Sequence, residues 1–382
     1  VSEETPTIGV GMLGYAFMGK AHSNAYRTIA HLPGQAPLLP ELVAIAGRNA
    51  EAVTEAADLF GFERAVTDWR EIISDPRIGL FDNSGPNLLH AQPTILAAQA
   101  GKHVLCEKPL GMDAAESYEI WQSVAKAGVK HMCGYNNRFV PAIRYARQLL
   151  EADEFGEIRH VRARYLQSWG ADEGLMTWRF DNSQAGSGAL GDLGAHIIDL
   201  ARYLVGEITT VSALTRTFIT ERAGHRVDVD DAFEATVEYQ NGAFGTLEAT
   251  RLAPGRINSL VLEVNGSKGS FLFNLERLNE LQIHMNGSAH KGFQTVLMTE
   301  PEHPFLQFWY PPGHTLGWQD SFTHQAHHLL SAIREDGQVG PYGADLEDGY
   351  RAAEVCDAII RSSASGRRER VTYRESAIGS PA

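Results

Sequence analysis

Cysteine is scarce in this chain, and the little there is does not cluster. Cys106, Cys133 and Cys356 are the only three among 382 residues and show no metal-ligand spacing. A reducing cytoplasm is therefore the expected compartment. Positive charge is also short, with 33 Lys and Arg against 47 Asp and Glu and a formal charge of −14. That balance argues against a nucleic-acid partner, whose phosphates reward clustered cations. No apolar run reaches the ~20 residues of a membrane span, and the opening VSEETPT is not a basic-then-apolar leader. Internal repeats and low-complexity linkers are absent as well. What is present is a globular composition, 43% hydrophobic and 21% charged, at a length that predicts two domains.

Over residues 1–138 short apolar runs alternate with helical patterns. Strands are expected at Ile8–Leu13, Leu42–Ala46, Gly79–Asn83, His103–Cys106 and His131–Tyr135, with helices such as NAEAVTEAADLFG and DAAESYEIWQSVAKAG between them. The second of these opens on a capping box, Asp113 with Glu116 three residues on. Strand–helix alternation predicts a doubly wound parallel sheet, the Rossmann arrangement. From residue 139 to 382 the texture changes to long alternating segments, and YQNGAF carries a hairpin signal. That half reads as an α+β domain with a large, mostly antiparallel sheet.

Two glycine patterns compete at the start. Gly9, Gly11 and Gly14 spell G-x-G-x-x-G, and Gly14, Ala16 and Gly19 spell it with alanine in the middle. The first glycine of a dinucleotide turn ends the first strand. Gly14 leaves a strand of normal length before it and a helix after it, with Phe17, Ala21, Tyr26 and Ile29 available to pack. Gly9 leaves almost no strand. The turn is therefore expected at Gly14, Ala16 and Gly19, with the helix N-terminus receiving phosphate. Phe17 and Met18 continue that turn. The second strand should end in an acid for the ribose of NAD. It ends instead in Gly47, Arg48 and Asn49; a guanidinium without a carboxylate favours a 2′-phosphate, so NAD and NADP both stay open.

Later motifs carry the chemistry. GKHVLCEKPL holds Lys108 after a strand and before Pro109, and GSGALGDLGAHIIDLARYLVG places Asp192 and His196 four apart on one helix face. GYAFMGKAH, PNLLHAQPTILAAQAGKHVLCEKPL, GYNNRFVPA and GSGALGDLGAHIIDLARYL together resemble, in order and spacing, the glucose–fructose oxidoreductase, inositol dehydrogenase and MocA family. The resemblance spans nearly the whole chain. It implies an N-terminal Rossmann domain, a C-terminal open-faced sheet through which homodimers or homotetramers form, and oxidation of a sugar or polyol by a nicotinamide cofactor.

The resemblance also implies roles. Lys108, Asp192 and His196 become the catalytic group, and Glu107 and Pro109 set the lysine. Ser84, Pro86, Asn87, His90 and Asn136 join Gly14, Ala16, Gly19, Glu107 and Lys108 around the cofactor. Gly85 and Gly47 depart from the family's usual threonine and acid. These residue types suit alcohol oxidation: an imidazole can take the hydroxyl proton near neutrality, and an ammonium can stabilise developing alkoxide charge. Substrate contacts are expected from Tyr165, Gln167, Trp169, Trp178 and Arg179, whose rings, amide and guanidinium suit a pyranose, beside Lys108, Asp192 and His196. This segment most resembles the branch that contains levoglucosan dehydrogenases, which oxidise C3 of an anhydrosugar. Competing functions are an NAD-dependent glycoside hydrolase working by transient oxidation, and a non-enzymatic dinucleotide or sugar sensor. THQAHH sets His324, His327 and His328 at helical spacing; a polar helix face is expected there, and no metal.

Overall fold

A six-stranded parallel sheet in the order β3-β2-β1-β4-β5-β6 forms from β1 (Thr7–Leu13), β2 (Leu39–Ala46), β3 (Arg64–Val66), β4 (Ile78–Asn83), β5 (His103–Cys106) and β6 (His131–Cys133). The computed structural model describes residues 5–32 and 36–377. β3 is absent from the sequence reading because three residues offer no alternation to detect; it is fixed by parallel pairing of Arg64–Val66 with Ala44–Ala46. Helix α1 (Phe17–Ile29) follows β1. The strand order reverses between β1 and β4, so the loops leaving them part and open a crevice at their carboxyl ends.

Gly9 and Gly11 belong to β1. A Cβ on Gly9 would lie 2.1 Å from the Arg77 carbonyl oxygen, and one on Gly11 would lie 2.2 Å from Ile72. They are glycine because neighbouring elements press against the strand.

The second sheet has nine strands. At its centre Ile158–Leu166 and Phe244–Thr250 pair in parallel, and the remaining described pairs are antiparallel. The Asn241-Gly242 turn joins Ala232–Tyr239 to Phe244–Thr250, with Gly242 at φ 89°. Ala232–Tyr239 alternates buried and more exposed residues, so one face of the sheet is core and the other is open. The core face is covered by helices Ala195–Val205 and Leu346–Ser365, which bury Ile197, Leu200, Val355 and Ile359 completely. Each such side chain contributes about 1.5–3 kcal/mol by leaving water.

Helix Asp320–Glu335 follows eight of the nine strands of that sheet in sequence but lies inside the first core. Its Phe322, Ala326 and Leu329 cluster with Val10, Met12 and Tyr26. Among the described residues no helix is long and apolar enough to cross a membrane.

Candidate functional site

The chain turns out of β1 at Gly14, whose φ of 103° lies in the left-handed region that favours glycine. A Cβ there would sit 2.6 Å from the Ser84 carbonyl oxygen, and one on Gly19 would sit 2.3 Å from the Gly14 oxygen. Ser84 Oγ donates to Leu13 and Gly14 oxygens at 3.0 and 3.2 Å, closing the crevice floor between β1 and β4. Ala16 is the N-cap of α1 and supplies no side-chain cap, and the first turn holds no acid. Uncapped N–H groups at a helix start, beside backbone that no side chain blocks, fit a dinucleotide pyrophosphate. Phe17 is 63% exposed and stacks on Trp318 at 5.6 Å, so it is not the core residue its helical position suggests. Met18 packs on the first core.

At the end of β2, a Cβ on Gly47 would lie 2.1 Å from the Tyr15 ring, so Tyr15 occupies the space an acid would need. Arg48 is exposed and, among the described residues, makes no hydrogen bond or ion pair. Asn49 instead caps the next helix, accepting from Ala52 N at 3.1 Å.

Lys108 follows β5, its Nζ donating to Asp192 Oδ1 at 3.1 Å and to the Asp192 carbonyl oxygen at 2.8 Å. Asp192 Oδ2 accepts from Arg251 at 2.9 Å, and Arg179 stands 3.8 Å away. Burial alone would raise the Asp192 carboxyl; Lys108, Arg251 and Arg179 overturn that and hold it far below the usual range. Asp192 lies in a π turn, Leu190–Gly194, that runs into helix Ala195–Val205. Asp230 fixes this turn by accepting from Gly188 N and Leu190 N, each at 2.8 Å. His196, one turn on, meets Asn137 Nδ2 through Nδ1 at 3.3 Å and lies edge-on to Tyr135 and Tyr165. Burial, and then the Lys108 charge, push its pKa well below 6.5, with Asp192 opposing. The imidazole is therefore favoured in its neutral form.

Beneath Lys108 lies a sealed network. Glu107 Oε2 accepts from Lys108 N at 3.1 Å, and Oε1 meets His22 Nε2 at 3.1 Å. His22 Nδ1 meets Asp82 at 2.9 Å, and Tyr26 donates to Asp82 at 2.8 Å.

The other expected residues divide. His90 is buried between the Pro109 and Gly85 oxygens, 2.7 and 3.1 Å from its ring nitrogens. Asn87, preceded by Pro86, donates to Ala185 O at 2.9 Å and ties the crevice to the second half. Asn136 donates to Ser321 at 2.9 Å, and its neighbour Asn137 is the residue that reaches His196. Tyr165 and Gln167 both bond Asn258 Oδ1 at 2.7 Å, and Trp169 donates to Gln167 at 2.6 Å. Arg179 covers the Trp178 ring at 4.5 Å. His324 is not on a polar face: it is buried against Phe305.

Sequence reasoning missed Arg251, Asn137, Asn258 and the His22–Asp82–Tyr26 network. Arg251 follows the strand Phe244–Thr250, far along the chain from Asp192, and nothing in RLAPGR marks it. His22 sits within GYAFMGKAH, one helical turn past Met18, and Asp82 lies next to the end of β4; only tertiary structure joins them.

Two family models match the chain. Residues 8–135 match an oxidoreductase family with an NAD-binding Rossmann fold, and residues 143–272 match the GFO/IDH/MocA C-terminal domain. The chain is 42% identical to a levoglucosan dehydrogenase of Pseudarthrobacter phenanthrenivorans over 379 residues, covering 94% of this chain and 96% of that one. It is 29% identical to a scyllo-inositol 2-dehydrogenase (NAD(+)) of Bacillus subtilis over 277 residues, 72% of this chain and 75% of that one. Among solved structures, a levoglucosan dehydrogenase in complex with NADH and levoglucosan superposes with a TM-score of 0.93 at 43% identity, covering 96% of this chain and 99% of that one.

Proposed function

The chain belongs to the glucose–fructose oxidoreductase, inositol dehydrogenase and MocA family of oxidoreductases, and from that premise we propose that it oxidises a secondary hydroxyl of an anhydrosugar, at C3 of a levoglucosan-type pyranose, with NAD as acceptor. The observation that carries the reading is the contact of Lys108 with Asp192, whose other oxygen is held by Arg251, beside a neutral His196. The likeness to levoglucosan dehydrogenases supports the substrate.

In this reading His196 takes the hydroxyl proton. Lys108 donates to the reacting oxygen and offsets the negative charge that grows there. Asp192 holds the ammonium in place and is itself kept ionised by Arg251. The Tyr165, Gln167, Trp169 and Asn258 chain, its side chains fixed by bonds to one another, would set ring faces and the remaining amide groups against the sugar. Gly14, Ala16 and Gly19 with the start of α1 would hold the pyrophosphate. A bound nicotinamide would supply the hydride acceptor.

Reduced-nicotinamide absorbance, followed on mixing the protein with NAD or NADP and a panel of levoglucosan, pyranoses and inositols, tests this. A levoglucosan-dependent rise is expected. Cleavage of a glycoside with no net absorbance change would overturn it in favour of glycoside hydrolysis; silence with every pair would leave a sensor.

A further inference from the structure

Helix Pro141–Glu151 and helix Asp320–Glu335 enclose, with the segment around Phe305–Phe308, a cavity of about 360 Å³ lined by Arg144, Gln148, Phe305, Phe308, Ser331 and Tyr342. The histidines of THQAHH lie on its wall. We propose that this cavity is a second binding site, taking a small aromatic carboxylate on the Arg144 guanidinium.

The reason is a buried charge without a counter-charge. Arg144 is 8% exposed, yet among the described residues it forms no ion pair. One bond is made, from Nη2 to the Tyr342 carbonyl oxygen at 3.2 Å, and Nε is sealed with no partner. Elsewhere in this molecule buried guanidinium groups find acids: Arg138 bonds Asp199 and Asp348, and Arg202 bonds Glu207. A buried cation left unpaired is costly. The nearby carboxylate, Glu151, is engaged with Arg147 at 2.8 Å and accepts from the Tyr342 hydroxyl at 3.3 Å.

The histidines do not supply the missing charge. His324 offers Nδ1 to the Phe139 oxygen at 2.9 Å and accepts from Trp309 at 2.8 Å through Nε2, and His328 meets the Val339 oxygen at 2.8 Å. Burial holds both below the ordinary histidine value. They act as neutral walls, and His327 lies against Phe308 at 4.6 Å.

Ring faces dominate the rest. The guanidinium carbon stands 4.5 Å from the Tyr342 centroid and 5.2 Å from that of Phe305. Such faces hold the fork flat but leave its charge unneutralised. A planar fork beside aromatic walls matches a carboxylate on a ring: two oxygens for the fork and an apolar face for Phe305 and Phe308.

Calorimetric titration of benzoate into the intact protein saturated with NADH should show saturable binding. Arg144→Met should weaken it about tenfold or more, the size of a lost charge-assisted contact, and Phe308→Ala should weaken it too. Arg144→Met should melt no lower than the parent, because an unpaired buried cation is being removed. Absence of binding overturns the proposal, as does binding that both variants leave unchanged, or inorganic phosphate binding where benzoate does not. A lowered melting temperature in Arg144→Met, with benzoate silent in the parent, would make Arg144 a structural cation held by its rings.

Discussion

At the scale of single residues, the site sets one neutral base among several charges, and that arrangement has a direction in pH. His196 must be unprotonated to accept a proton. Burial and Lys108 lower its pKa, so the acid limb of kcat/KM should lie below pH 6.5, where a free imidazole would be half protonated. His196→Asn should lower kcat by about 10²–10⁴, the range of a lost general base, while NADH binding measured by fluorescence stays near that of the parent. Equal turnover in the variant would remove His196 from the proposed role. Arg251 makes a second test. It is buried and donates to Asp192 and to the Gly188 and Arg179 oxygens. Arg251→Lys keeps the charge but has no planar fork to span three acceptors. Its kcat/KM should fall at least about tenfold, and parent-like kinetics would show that charge alone suffices.

At the scale of elements, the devices legible in the sequence were those written in neighbouring residues. The turn at Gly14, the capping of Ala114–Ala127 by Asp113 on Glu116 N at 2.8 Å, and the Asn241-Gly242 hairpin each need only a few adjacent side chains. The capping box differs in one detail: Glu116 reaches back to Met112 N, at 2.6 Å, and not to Asp113 N. What could not be read was assembled across the fold. The π turn around Asp192 depends on Asp230, some 40 residues on, and the placement of Asp320–Glu335 on α1 follows from a hydrophobic face that could have covered either sheet. Phe17, which the sequence offers for packing, is largely exposed and stacks on Trp318.

Element ends also bear on the proposed cofactor site. Tyr15 fills the space that a side chain at position 47 would need, and among the described residues Arg48 makes no hydrogen bond or ion pair. Arg48→Ala should cost about tenfold in kcat/KM with NADP, the order of one charge-assisted contact, and little with NAD. Equal losses with both cofactors would assign Arg48 to the adenine face.

At the scale of the whole molecule, the buried charges under the site make stability depend on pH. His22 is 2% exposed and bridges Asp82 and Glu107, two buried carboxylates. Burial alone would lower its pKa, but the Asp82 and Glu107 charges and hydrogen bonds raise it to about 10. The folded protein therefore keeps a proton that the unfolded chain releases near 6.5. With more protons bound in the folded state, stability falls as pH rises through that interval. The His22 contribution is complete below pH 6.5 and is lost as pH climbs to about 10. An interval of this width is worth roughly 3–5 kcal/mol, a large share of the 5–15 kcal/mol that is typical of a domain. His22→Gln leaves Asp82 and Glu107 without their cation at every pH. Its melting temperature should lie well below the parent's at pH 6, and the gap should close as both are melted at pH 8, 9 and 10. A gap that stays constant across that series would mean His22 is held by packing and not by its proton. Because Glu107 also accepts from Lys108 N, the loss of order in His22→Gln should reach the active site, with kcat falling at pH 6 more than sugar binding does.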